Sequence, residues 1–100
     1  MPILKEIMNH NIDQIDCLLI NPPDIPSRYP YLGLCTLAAV LRKKHVSVSI
    51  LDCSVLGLDH DKTLKIIGKY HPKIIGISIL STTLKSAYEL IIQIQNKYPN

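Results

Sequence analysis

The sequence predicts an α/β fold: a three-layer βαβαβα unit whose parallel sheet has the order 2-1-3. Three observations predict it. Short apolar runs alternate with segments of helical spacing along the chain. The connections between successive runs are about long enough for the crossover helices that parallel strands require. Right-handed crossovers then place helices over both faces of the sheet.

The first strand runs from Asp16 to Ile20 and stops at Asn21-Pro22-Pro23, because proline has no N–H to offer a ladder. Its unbroken apolar character marks a buried parallel strand. A loop with Pro22, Pro23, Pro26 and Pro30 follows. Tyr31 to Lys44 reads as a helix, apolar almost all round and so expected to be well buried. Leu34, Ala38 and Leu41 lie at helical spacing with Leu37 beside them, and Arg42, Lys43 and Lys44 complement the negative end of the dipole. Val46 to Leu51 alternates with period two and forms the second strand, nearer a sheet edge. It ends at Asp52-Cys53-Ser54, and Leu56-Gly57-Leu58 makes a connection. Asp61 to Tyr70 is a weaker helix with Leu64, Ile67 and Tyr70 on one stripe. Gly68 costs it about 1 kcal/mol relative to alanine, and His71-Pro72 stops it. Lys73 to Ile79 is the third strand, the most buried in character. Ser81-Thr82-Thr83 are expected to cap a last helix, Leu84 to Lys97, whose Leu84, Ala87, Tyr88, Ile91 and Ile94 face the sheet.

Composition narrows the function. One hundred residues allow one domain at most, and we read 1–15 as an N-terminal extension and 16–100 as the domain. A hydrophobic content of 47% with a net charge of +3 excludes a disordered chain. No apolar run approaches the roughly 18 residues of a membrane span. The charge is weak, Trp and Phe are absent and no basic block exists, which argues against nucleic acid. Met1 to Gln14 lacks the apolar core and cleavage site of a targeting segment. Cys17, Cys35 and Cys53 form no Cys-x-x-Cys or Cys/His cluster, so neither a disulfide framework nor a zinc site is expected. Free thiols fit the cytoplasm. Cys17 and Cys35 are expected in the core, and Cys53 as a small buried residue.

In an open parallel sheet, ligands bind beyond the carboxyl ends of the strands, where the strand order reverses. With the order 2-1-3, three loops meet there: Asn21-Pro22-Pro23, Asp52-Cys53-Ser54 and Ser78 to Thr83. They offer hydroxyls, an amide and one carboxylate, without a positioned Lys or His. Such a surface suits holding a sizeable uncharged or amide-rich ligand better than acid–base chemistry. Each residue also has a plain structural role open to it. Asn-Pro-Pro makes a strand stop and rigid turn. Ser78 can satisfy a backbone carbonyl, Ser81 to Thr83 can cap a helix, and Asp52 can bond the amides of its own turn. His60 lies in a loop on the same side, His45 in a turn and His71 at the opposite end. Gly-x-Gly-x-x-Gly and the Walker phosphate loop are absent. The position where a receiver domain would carry its phospho-acceptor aspartate is Ser78.

The ordered set Asn21-Pro22-Pro23, Tyr29-Pro30-Tyr31-Leu32-Gly33-Leu34, Leu37 to Lys43, Ile50-Leu51-Asp52 and Pro72 to Ser78 resembles the N-terminal cobalamin-binding domain of cobalamin-dependent radical S-adenosylmethionine enzymes. The resemblance runs from about Asp16 to Asn100. It implies a flavodoxin-like (Rossmann-like) fold that holds cobalamin at the carboxyl ends of its strands. Ser78, Leu80 and Thr82 match the family's Ser-x-Leu with a following Thr. By resemblance Ser78 and Thr82 would hydrogen-bond the cofactor's nucleotide tail and Leu80 would pack on it. Asn21, Pro22, Pro23, Leu32 and Gly33 would shape the loop near the corrin ring, and Asp52 and Ser81 complete the same loop set.

Asp-x-His-x-x-Gly is missing, so the resemblance implies cobalamin without a histidine ligand from this chain. No Cys-x-x-x-Cys-x-x-Cys is present, so an iron–sulfur cluster and S-adenosylmethionine would belong to a downstream domain, and no catalytic centre is expected here. Three strands where the fold normally has five imply an incomplete domain. Its third strand would then be an open edge, available to a radical S-adenosylmethionine domain or to self-association. The alternatives are a non-binding remnant or interaction module, and a flavin- or nucleotide-binding domain, which the missing phosphate loop disfavours.

Overall fold

A computed structural model describes residues 14–24 and 32–99. Its elements run β1 (Cys17–Asn21), α1 (Leu32–Lys43), β2 (Val48–Asp52), a short α2 (Cys53–Leu56), α3 (His60–Tyr70), β3 (Ile74–Ile77) and α4 (Leu84–Lys97). The strands form one parallel sheet in the order β2-β1-β3, so the predicted fold class and strand order hold. The N-terminal extension, apart from residues 14 and 15, and the loop after Asp24 lie outside the described residues.

Side chains on β1 alternate between two cores, as period-two geometry dictates. Leu18 and Ile20 enter the larger one, with Leu51, Cys53, Leu58, Leu64, Ile66, Ile67, Tyr70 and Leu90. Cys17 and Leu19 enter the smaller one, with Leu34, Ala38 and Val48. The larger core lies under α3 and α4, and the smaller under α1, which packs on β1 and β2. The face of β3 turned toward the α1 side is therefore thinly covered: Ile74 is 65% exposed. Gly76 follows it on that face, and a Cβ there would come within 2.9 Å of Leu19 Cδ2.

Four expectations about burial are corrected. The first helix is not well buried: only Leu34 and Ala38 of α1 are buried, while Leu37 and Val40 stand exposed, because α1 covers a single flank of the sheet. The third strand is the least buried of the three, since it is an edge strand like β2 but lacks the cover that α1 gives β2 on one face. On α4 the buried positions are Ala87 and Leu90, with Leu84 and Tyr88 exposed, so the inward face is rotated from the predicted stripe. Cys35 is exposed on α1, whereas Cys17 and Cys53 are buried.

The helix ends follow local chemistry. Asp52 caps α2 by accepting from the Val55 amide, and Gly57 ends it in the left-handed region at φ 67°. Asp59 caps α3 by accepting from the Lys62 amide at 2.8 Å, which makes His60 the first residue of that helix and not a loop residue. Thr83 holds the N-cap position of α4 without a side-chain cap bond. Its hydroxyl instead accepts from the Leu80 amide and fastens the preceding turn.

Candidate functional site at the carboxyl ends of the strands

β1, β2 and β3 end side by side, and their last polar side chains meet. Register places Asn21 opposite Asp52, and the ladder to β3 continues one residue past the strand through the bond from the Ser78 amide to the Ile20 carbonyl. Across this line runs a relay. Ser78 Oγ donates to Asn21 Oδ1 at 3.1 Å. Asn21 Nδ2 donates to Asp52 Oδ1 at 2.9 Å. The same carboxylate oxygen accepts from the Val55 amide at 3.2 Å. Asn21 thus spans both neighbouring strands because an amide both donates and accepts. Ser78 serves this relay and Asp52 serves both the relay and its own turn, so the plain structural role holds for Asp52.

Proline shapes the exit from β1. Pro22 is fully buried and Pro23 is buried, so the chain leaves the sheet along one fixed path. Leu32 and Gly33 open α1 and are exposed, Leu32 at 72%. The turn after β3 carries exposed Leu80, Ser81 and Thr82. The structure therefore brings Asn21, Asp52 and Ser78 into direct contact. Leu32, Gly33, Leu80, Ser81 and Thr82 lie on segments that enter or leave this end of the sheet, exposed to solvent.

Two residues that the sequence reading did not select join the site. Ser86 Oγ donates to the carbonyl of Pro23. His60 Nε2 lies 3.2 Å from the Ser86 carbonyl and 3.4 Å from its hydroxyl. A carbonyl oxygen only accepts, so this contact assigns the ring hydrogen to Nε2. The only signal in the sequence is that both sit in the first turn of a helix, which the 2-1-3 order sends to the carboxyl end of the sheet.

Cys53 begins α2 beside Asp52, with its thiol 3.3 Å from the Thr63 hydroxyl. Burial pushes this thiol up to about 11, so it stays protonated at neutral pH. Among the described residues no cluster of His, Cys, Asp and Glu could hold a metal ion, and no helix is long and apolar enough to cross a membrane. A cavity of about 540 Å3 lies at the other end of the sheet, lined by Ile67, Ile75, Ile94 and Tyr98 among others. The polar relay, not that hollow, occupies the position where parallel sheets receive ligands.

The donor set suits a large neutral ligand. Hydroxyls, an amide and the exposed apolar side chains of Leu32 and Leu80 surround the strand ends. A corrinoid with a nucleotide tail presents amides and apolar ring edges of matching character. The family model described as B12 binding domain matches residues 24–100. Comparisons with curated proteins and with solved structures give no match. A family match over more than half of the chain, on a parallel sheet of the order 2-1-3, shows that the chain belongs to the B12 binding domain family.

Proposed function

We propose that this chain holds cobalamin at the carboxyl ends of its strands, as the cofactor-binding part of a protein of the radical S-adenosylmethionine type. The observation that carries the reading is the Ser78–Asn21–Asp52 relay, which sets a rigid polar line across three strand ends, with exposed Leu80 on the turn just beyond it. Ser78 and Thr82 would meet the polar atoms of the nucleotide tail, and Leu80 its apolar part. Asn21, Pro22, Pro23, Leu32 and Gly33 would shape the wall near the ring, with Asp52 holding Asn21 and Ser81 at the rim. Cobalamin, when bound, supplies a cobalt centre able to carry an alkyl group. The chain's own part is to bind and orient it.

The first three βα units at 16–100 would form this domain. The radical S-adenosylmethionine context rests on the ordered resemblance from Asn21 to Ser78, and the cluster and S-adenosylmethionine would come from another domain. The Asp-x-His-x-x-Gly motif is absent from the sequence, which fits cobalamin held without a histidine from the β1 loop. Free thiols at Cys17, Cys35 and Cys53 fit a reducing compartment such as the cytoplasm.

The test is direct. The protein is mixed with excess hydroxocobalamin and gel-filtered, with circular dichroism confirming that it is folded. Corrin absorbance is expected to travel with the protein, and less of it with an Asn21→Ala variant. Folded wild-type protein that emerges free of corrin absorbance overturns the reading.

A further inference from the structure

Two hydrogen-bond networks hold the segment that follows β1, and they approach it from opposite sides. The relay grips Asn21 from the neighbouring strands. Two residues on, the Pro23 carbonyl is gripped by Ser86, which in turn is held by His60. Ser86 stands in the first turn of α4 and His60 at the start of α3, so three segments distant in sequence converge on one carbonyl. Proline gives this stretch no amide hydrogens at 22 and 23. Its path is therefore fixed by carbonyl acceptors and packing alone, which raises the weight of the single bond at Pro23.

We propose that Ser86 and His60 form a clasp that sets the position of the Asn21–Pro23 wall and thereby the tightness with which the site takes cobalamin. The inference rests on the cobalamin reading and adds two positioning residues to it. Ser86 acts through Pro23, and His60 acts through Ser86 by donating from Nε2 to its carbonyl and hydroxyl. Neither is assigned a contact with the cofactor. Asp59 supports the arrangement from below: it caps α3 at the Lys62 amide, and its carbonyl accepts from the Thr63 hydroxyl at 2.7 Å, so the turn that carries His60 is rigid.

Hydroxocobalamin is titrated by visible absorbance into the wild type and the Ser86→Ala, His60→Ala and His60→Gln variants. Amide hydrogen exchange is read in the cofactor-free proteins. Ser86→Ala and His60→Ala should each weaken binding roughly five- to tenfold, the worth of one well-formed hydrogen bond. Glutamine, whose amide reaches where Nε2 does, should restore affinity to within about twofold on the same scale. Exchange at Asn21 and Asp24 should quicken in both alanine variants and recover in His60→Gln, while exchange in β2 stays put. A merely structural effect would quicken both strands. Wild-type affinity together with unchanged exchange in Ser86→Ala overturns the clasp. If that variant does not fold, the His60→Ala and His60→Gln pair decides, because it leaves the bond to Pro23 in place. A wild type that takes up no hydroxocobalamin overturns the cobalamin reading instead, and the exchange arm then judges the clasp by itself.

Discussion

A thiol reacts as its thiolate, so burial separates the three cysteines by reactivity. Cys53 is fully buried and its thiol is pushed up to about 11 by desolvation. Cys17 is raised from its ordinary value by the same cause, with the nearby Asp16 charge adding to it. Cys35 stands exposed on α1. With an aromatic disulfide reagent at pH 8, Cys35 should react at once in the native protein, and Cys17 and Cys53 only when urea unfolds it. A rapid burst from all three in the native state would contradict the packing of both cores. The sequence pattern placed Cys17 and Cys53 correctly because strand ends and their alternation are local properties. Cys35 was misplaced because an all-round apolar helix does not declare which side meets the sheet. The same distinction explains the site. Asn21, Asp52 and Ser78 were legible from position alone, as the last polar residues of three parallel strands in the order 2-1-3. Their mutual bonds follow from register, which a strand pattern does not state. Ser86 was not legible, and His60 only as a residue on the site side, since their meeting depends on how α3 and α4 sit against each other.

At the scale of elements, α3 and α4 meet through a residue that the sequence priced as a weakness. Glycine inside a helix normally costs about 1 kcal/mol against alanine. Here a Cβ on Gly68 would collide with the Tyr98 hydroxyl, and that hydroxyl donates to the Leu64 carbonyl at 3.1 Å. Gly68 is thus the seat of a tie between the end of α4 and the body of α3. Two effects oppose each other in Gly68→Ala: a propensity gain of about 1 kcal/mol, and the displacement of a buried-edge tyrosine with its hydrogen bond, worth about as much again plus the lost packing. The second should win, and Gly68→Ala should lower stability by roughly 1 kcal/mol. In a Tyr98→Ala background the collision is gone, so the same change should raise stability by up to about 1 kcal/mol. Urea unfolding of the four proteins in this cycle gives the coupling. Equal effects of Gly68→Ala in both backgrounds would mean that Tyr98 does not lean on Gly68. The orientation of α4 belongs to this scale too. Its apolar residues exceed what one face can hold, and Tyr98 together with Ala87 and Leu90 selects the face that turns inward.

At the scale of the whole molecule, the central strand is held at each end by one polar residue that reaches both neighbours. At the carboxyl end this residue is Asn21. At the amino end it is Asp16, whose carboxylate accepts from the Ser47 amide and hydroxyl, both at 3.0 Å, and pairs with Lys73 at 3.4 Å. Ser47 leads into β2 and Lys73 into β3, so Asp16 mirrors what Asn21 does. The two differ in chemistry: Asn21 does not titrate, whereas Asp16 does. The Ser47 amide, then its hydroxyl, then Lys73 hold the Asp16 carboxyl below its ordinary range. A carboxyl lowered in the folded state adds stability that is fully present above its unfolded value of about 3.9 and lost as pH falls through the lower folded value. Wild-type stability should therefore fall with acidification through this window, and Asp16→Asn should show a shallower fall while being the less stable protein at pH 7. Urea midpoints at several pH values between neutrality and the acid limit measure both slopes, and identical slopes would remove Asp16 from the account. Because Asp16 and the relay sit at opposite ends of β1, Asp16→Asn at pH 7 should weaken the sheet without loosening the grip on hydroxocobalamin, so long as the protein remains folded. Asn21→Ala should do the reverse in emphasis, since the residue that closes the carboxyl end of the sheet is, on the proposed reading, also part of the wall of the site.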